Sequence, residues 1–136
     1  MRKLIALAAL AASVACNLST DTGAAPLVGD ISGTYSLRTM NGAPLPLTVV
    51  GHDTTVVIDT DVLILTPVGD WSETVGYRQT VGAAATTAES FALSGGWTRS
   101  GNSLSFRTPN GLFYLGTATD TSLNLSDAAN SYVFKR

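Results

Sequence analysis

Apolar and polar side chains alternate with a period of two along most of the chain from residue 32 to its end. Tyr35 and Leu37 share one face of the first alternating segment, and Leu104 and Phe106 share one face of a later one. Turn signals such as Asn41-Gly42 separate the segments at short intervals. The pattern predicts eight or nine short strands and no helix in this part of the chain.

Short connections also indicate how the strands are arranged. Parallel strands need long crossovers, and the predicted turns are too short to supply them. A twisted sheet of this many strands tends to close on itself, which removes its exposed edges. We therefore expect an all-β fold: an antiparallel up-and-down meander of about eight to nine strands that closes into a small barrel over residues 32–136.

Two places interrupt the alternation. Between Thr54 and Thr66, Val56 and Ile58 lie in one phase and Leu63 and Leu65 in the other, which predicts a bulge or turn near Asp59-Thr60-Asp61. The segment Ala43-Pro44-Leu45-Pro46 is excluded from a central strand because proline lacks a ladder donor. We expect a crossing loop there, followed by a short edge strand from Leu47 to Val50.

The first fifteen residues have the order of a secretory signal peptide. Arg2 and Lys3 precede an apolar run from Leu4 to Ala12, and Ser13-Val14-Ala15 forms a small-residue cleavage site. The run is shorter than the roughly 20 residues that a membrane-spanning helix needs. Residues 1–15 are therefore predicted to be removed on export.

The only cysteine, Cys16, follows this cleavage site directly. Val14-Ala15-Cys16 resembles the lipobox of bacterial lipoproteins, with Ser13 standing where Leu is usual. The resemblance implies a lipid on the Cys16 sulfur, and Asn17 in place of Asp implies delivery to the outer membrane, facing the periplasm. Ordinary cleavage that releases a soluble periplasmic or secreted protein remains the alternative. Residues 16–31 are small and polar and are interpreted as the lipidated cysteine and a flexible tether.

A second resemblance covers the stretch from Gly33 to Arg136. Its segments are Gly33-Thr34-Tyr35-Ser36-Leu37, Gly69-Asp70-Trp71, Ser100-Gly101-Asn102-Ser103-Leu104 and Tyr132-Val133-Phe134-Lys135-Arg136. In this order they resemble the lipocalin-like domains of small bacterial lipoproteins, with Tyr35 where lipocalins carry Trp. The resemblance implies a small β-barrel and does not identify a ligand.

Charge and composition exclude several functions. The chain has eight basic and ten acidic residues, and two of the basic ones, Arg2 and Lys3, lie in the predicted signal. The others are scattered, so a mildly acidic surface without a basic stripe argues against nucleic acid as a partner. The predicted contact with the membrane is therefore through the N-terminal lipid.

The residues that could carry chemistry are few. One histidine, His52, stands in a predicted Gly51-His52-Asp53 turn, and a single histidine beside an anchored Cys16 cannot assemble a zinc site. Asp59 and Asp61, with Asp53 or Asp70 nearby, are candidate calcium ligands, but they lack calcium-hand spacing and are interpreted as solvated strand-end acids. No nucleophile motif accompanies His52 or Glu73. We expect neither a metal nor another cofactor, and no enzymatic activity.

The function that remains is binding. Ten aromatic residues are enough to fill a small barrel, so the sequence favours a filled or shallow-mouthed interior. A ligand, if there is one, is expected to be small and apolar and to enter at the barrel mouth near Trp71, Glu73, Tyr77 and Trp97. Glu73 shares the phase of its apolar neighbours and is expected to pair with an arginine: Arg38, Arg78, Arg99 or Arg107. The alternative is a structural lipoprotein whose filled barrel docks on an envelope protein.

Overall fold

The computed structural model describes residues 29–136. The predicted signal peptide, Cys16 and all of the tether before Gly29 lie outside the described residues. The described chain forms ten strands: β1 Gly33–Met40, β2 Ala43–Pro44, β3 Leu47–Val50, β4 Thr54–Leu65, β5 Asp70–Val81, β6 Thr87–Ser100, β7 Ser103–Thr108, β8 Gly111–Ala118, β9 Ser122–Ser126 and β10 Ser131–Lys135. Within these residues, no helix has the length and apolar character needed to cross a membrane.

Eight of the strands form a closed antiparallel barrel. From β4 to β10 each strand pairs with the next, β10 pairs with β1, and β1 pairs with β4 to complete the circle. The expected all-β, up-and-down antiparallel architecture is confirmed, and it fits a small lipocalin-like barrel. The closing contact is short, since it extends only from Gly33 opposite Leu65 to Ser36 opposite Val62.

The two additional strands lie where β1 and β4 separate. β2 pairs with the end of β1, and β3 pairs with the first half of β4, so both lie at the two ends of the sheet order. The proline-rich segment thus lies at a sheet edge, as expected, but its first two residues form the short strand β2 and not a loop. The barrel wall is therefore split at this end.

A bulge in β4 changes which side chains face inward. Its register with β5 shifts between Ile58 and Thr60, as the change of phase predicted. Val56 and Ile58 face the interior before the bulge, and Leu63 and Leu65 are buried after it. The same shift turns Asp61 inward.

The end of the barrel where β1 begins is filled with side chains. The largest fully buried ones include Trp71, Tyr35, Phe106 and Phe134. Ile31, which precedes β1, is also buried in this cluster, and its carbonyl oxygen accepts a 2.7 Å hydrogen bond from Tyr35 Oη. The core therefore includes Ile31, one residue before the predicted start of the domain.

A glycine allows the largest of these side chains to fit. Trp71 lies opposite Gly95 in the β5–β6 register, and Trp71 Nε1 donates a 3.2 Å hydrogen bond to the carbonyl oxygen of Arg107. A Cβ atom on Gly95 would overlap that oxygen and lie 2.9 Å from Trp71 Nε1. Gly95 is thus required by close approach, which explains a glycine in the middle of a strand.

Candidate functional site

The other end of the barrel is hollow. A cavity of about 360 Å³ lies between the middle parts of β4 and β5, the first half of β6 and the adjoining ends of β1, β8 and β10. Six aliphatic and thioether side chains contribute to its lining: Leu37, Met40, Val56, Ile58, Val75 and Leu93. The barrel is thus neither filled throughout nor hollow throughout, because a close-packed half adjoins an open half.

Aromatic rings complete the apolar wall. Tyr77 and Phe91 lie at the outer part with ring centroids 6.0 Å apart, and 47% of Phe91 is exposed. Deeper in the cavity, Tyr114 packs against Phe113 at 4.4 Å and against Tyr132 at 5.3 Å. Strands β5 and β6 extend beyond the closed circle, so their apolar inner face stays accessible from the mouth.

Two carboxyl groups lie in this apolar environment. Glu73 faces inward because it alternates with Trp71 and Val75 on β5, and only 1% of it is exposed. Asp61 faces inward because the β4 bulge gives it the phase of Leu63 and Leu65, and only 5% of it is exposed. Both side chains line the cavity.

The hydrogen bonding of the two carboxyl groups differs. Tyr114 Oη lies 3.1 Å from each carboxylate oxygen of Glu73 and donates its proton to that group. Asp61 and Glu73 line the same cavity, and each shifts the pKa of the other. Asp61 Oδ1 is buried and has no hydrogen-bond partner among the described residues. Buried oxygens without partners are rare, so this atom requires an explanation.

Burial shifts the protonation of both groups. Burial, reinforced by the negative charge of Asp61, raises the pKa of Glu73 to about 8, although the hydrogen bond from Tyr114 acts in the opposite direction. Burial also raises the pKa of Asp61 above its usual value, while a hydrogen bond from Glu73 counteracts it. Near neutral pH the pair therefore holds one proton between its two carboxyl groups and carries a single negative charge.

None of the described residues that line the cavity is basic. The arginine expected beside Glu73 is not there, since the structure gives Glu73 the Tyr114 hydroxyl as its partner. Arg78 instead makes two 2.7 Å hydrogen bonds to Asp59 on the outer surface. Arg38 shares an outer hollow with Asp59 and Asp61, but no salt bridge within 4 Å joins it to Asp61 among the described residues. The buried charge has no cationic partner in this part of the chain.

The residues predicted from the sequence divide between the two ends. Glu73 and Tyr77 line the cavity. Trp71 is buried in the filled half, and Trp97 Nε1 donates to the Thr66 carbonyl at that same end, so neither lines the cavity. Asp61 and Tyr114 were missed as site residues. Asp61 is buried rather than solvated, and its phase with Leu63 and Leu65 was the available signal.

His52 lies away from this site. Its Nδ1 is 2.9 Å from Asp53 Oδ2, both side chains are largely exposed, and they line a separate surface hollow with Thr80 and Gly82. His52 and Glu73 therefore do not converge on one cavity. Among the described residues, no three His, Cys, Asp or Glu side chains are grouped so as to hold a metal ion.

Comparisons with family models, with curated proteins and with solved structures each find no match to this chain.

Proposed function

We propose that the protein is a lipid-anchored binding protein of the bacterial envelope that holds a small, mainly apolar molecule in the open end of its barrel. The observation that carries this proposal is the cavity of about 360 Å³, walled mainly by apolar side chains. Sites for small molecules in proteins are concave and mostly apolar, with volumes of roughly 300–1,000 Å³. The cavity lies at the lower end of that range.

The difference in packing between the two ends of the barrel supports a binding site at the open end. Protein interiors pack closely, and the Trp71 end of this barrel follows that rule. The chain has aromatic residues to fill the other end as well, but Phe91 is left 47% exposed at the mouth. The liquid volume of a water molecule is about 30 Å³, so the cavity suits a ligand of on the order of a dozen non-hydrogen atoms.

An anchor at Cys16 would join the barrel at its filled end, opposite the mouth. Residues 29–32 are held at the filled end, where Arg99 Nη1 donates to the Gly29 carbonyl and Arg136 Nη2 donates to the Asp30 and Ser32 carbonyls. The fourteen residues from Cys16 to Gly29 would span about 20 Å if they behave as the tether predicted from the sequence. A lipid on Cys16 would keep the filled end near the membrane and leave the mouth open to the periplasm.

The other expectation is a structural lipoprotein that docks on an envelope protein. It rests on a filled interior, and the cavity favours binding of a small molecule over it. The two functions predict different contents in a preparation from the native envelope, namely a small molecule in the barrel or a protein bound outside it.

Native mass spectrometry of the protein taken from its own envelope tests the proposal. We expect a small molecule retained by the protein and lost from Ile58→Trp, because Ile58 lines the cavity and an indole there would occupy it. Val68→Trp is the matched control, since Val68 is 83% exposed in the β4–β5 turn at the filled end. Retention of the same mass by Ile58→Trp would place the ligand elsewhere and contradict the proposal.

The anchor has its own test. Cys16→Ala is expected to move the protein from the membrane fraction to the soluble fraction, which immunoblotting of separated fractions measures. Cys16→Ser retains size and polarity but also lacks the sulfur, so both variants should behave alike. A membrane fraction unchanged in both would contradict lipidation at Cys16.

A further inference from the structure

We propose that the ligand of this cavity carries a cationic ammonium group, which binds the carboxyl pair Asp61–Glu73, and an apolar body, which occupies the space between Val75, Phe91 and Met40. This inference rests on the proposed function and adds the chemical class of the ligand. The observation that points to it is Asp61, whose side chain lines the cavity and whose buried Oδ1 has no hydrogen-bond partner among the described residues.

The charged groups in the cavity wall favour a ligand with a positive charge. The lining includes two carboxyl groups and, among the described residues, no basic side chain. A buried charge without a partner is costly, so a site of this kind favours a cation that restores neutrality. A ligand carboxylate would place a second negative charge beside Asp61 and is disfavoured.

The hydrogen bonds already made in the cavity indicate which polar group of a ligand would bind there. The single proton of Tyr114 Oη is shared between the two oxygens of Glu73, whereas Asp61 Oδ1 has no hydrogen-bond partner among the described residues, so the unsatisfied acceptor of the pair is on Asp61. An ammonium group offers two or three N–H donors and a positive charge, and such charge-assisted bonds are roughly twice as strong as neutral ones. A hydroxyl group offers one donor and no charge, so it satisfies the same atom less well.

The rest of the cavity limits the body of the ligand. Beyond the carboxyl pair, the wall consists of aliphatic side chains and the rings of Tyr77, Phe91 and Phe113. Several rings in an apolar wall suit an aryl group, which gains from edge or offset contacts in addition to burial. A short arylalkylamine has both the volume and the polarity that the cavity offers.

Three probes of equal skeleton separate the possibilities: phenylbutylamine, phenylbutanol and phenylbutanoic acid. Their dissociation constants are measured by calorimetry at pH 7. The sample is the protein as processed in its own cell, after any retained ligand has been removed. We expect the amine to bind at least about tenfold more tightly than the alcohol, and the acid to bind most weakly.

Two variants test whether the preference for the amine over the alcohol comes from the Asp61–Glu73 pair. Asp61→Asn keeps the side-chain volume and should reduce the ratio of amine to alcohol affinity to about one, with alcohol binding retained. Asp59→Asn is the matched control, because Asp59 lies two residues away but pairs with Arg78 on the outer surface. It should leave the ratio as in the unmodified protein, and circular dichroism confirms that both variants are folded.

The outcomes separate this inference from the proposed function. Equal binding of the amine and the alcohol would leave the apolar site in place but overturn the ammonium group, since the carboxyl pair would then make no distinction by charge. Tighter binding of the acid would also overturn it. Failure of all three probes to bind would count against the proposed function as well. If Asp61→Asn does not fold, the ratio measured on the unmodified protein still decides the matter.

Discussion

Tyr114 Oη lies 3.1 Å from both carboxylate oxygens of Glu73, and this contact joins β8 to β5 across the interior of the barrel. Tyr114 is buried as well as Glu73, so each polar group has the other as its main partner. Burial, with the nearby charge of Glu73, raises the pKa of Tyr114 well above its usual value, and the hydroxyl therefore stays a donor throughout the physiological range. The contact marks the boundary between the filled end and the cavity.

Removal of this donor should destabilise the fold. Tyr114→Phe keeps the ring contacts but leaves the buried carboxyl of Glu73 without its tyrosine partner. We expect a loss of about 1–3 kcal/mol in the free energy of unfolding, measured by urea denaturation. Tyr132→Phe is the control, because Tyr132 Oη donates to Asp127 at 2.6 Å near the barrel rim. An equal or larger loss in Tyr132→Phe would show that the Tyr114–Glu73 bond has no special weight.

The carboxyl pair should also make stability depend on pH. The pKa of Glu73 is raised from an ordinary 4.5 to about 8, and that of Asp61 is raised in the same direction, mainly by burial. The unfolded chain therefore releases protons that the folded chain still holds. The contribution of the pair to stability is fully present below the pKa values of the unfolded chain and is lost as the pH rises toward 8.

Urea denaturation between pH 5 and 8 measures this effect. The groups that face the pair are Tyr114 and Tyr132, and both remain protonated over this range, since burial raises the pKa of each. We expect the free energy of unfolding of the unmodified protein to fall by about 1.4 kcal/mol for each pH unit over which only the folded protein keeps Glu73 protonated. Glu73→Gln should reduce the slope, and only the contribution of Asp61 should remain. A slope that is identical in both proteins would contradict the raised pKa of Glu73.

Much of the architecture could be predicted from the sequence because strand faces alternate with a period of two. The change of phase between Ile58 and Leu63 located the β4 bulge, and the prolines at 44 and 46 located the sheet edge. These features depend on local chemistry, which the order of residues contains directly. Ile31 was assigned to the tether because an isolated apolar residue before the first strand gives no periodic signal.

The site was harder to predict, because it depends on which end of the barrel a residue reaches. Trp71, Glu73 and Tyr77 share one face of β5, but the first is in the filled end and the third is in the cavity. Periodicity predicts which face of a strand a residue lies on, but it does not predict which end of the barrel the residue reaches. Tyr114 could not be assigned to Glu73 either, since β8 and β5 do not pair and their contact arises only when the sheet closes.

The close approach at Gly95 should make that position intolerant of any side chain. In Gly95→Ala the new Cβ would overlap the Arg107 carbonyl oxygen that accepts the Trp71 hydrogen bond. We expect a loss of at least about 3 kcal/mol in the free energy of unfolding, or failure to fold. Gly96→Ala is the neighbouring control, because its Cβ would meet only the Gly69 carbonyl oxygen, at 3.7 Å. Similar stability of the two variants, measured by thermal denaturation, would refute the steric explanation.

Ile31 should behave as a core residue although it precedes the first strand. Its side chain is 2% exposed, and its carbonyl accepts the Tyr35 hydroxyl, whose ring in turn lies 5.1 Å from the Arg136 guanidinium carbon. Ile31→Ala removes buried aliphatic volume at the filled end and should cost about 2–4 kcal/mol. Val68→Ala, at an 83% exposed position near the same end, should change stability by less than about 0.5 kcal/mol.

Because the cavity lies at the opposite end, Ile31→Ala should leave the affinity for phenylbutanol unchanged at temperatures where the variant is folded. Calorimetry on the folded variant checks this, and a parallel loss of affinity and stability would mean that the two ends of the barrel do not act independently.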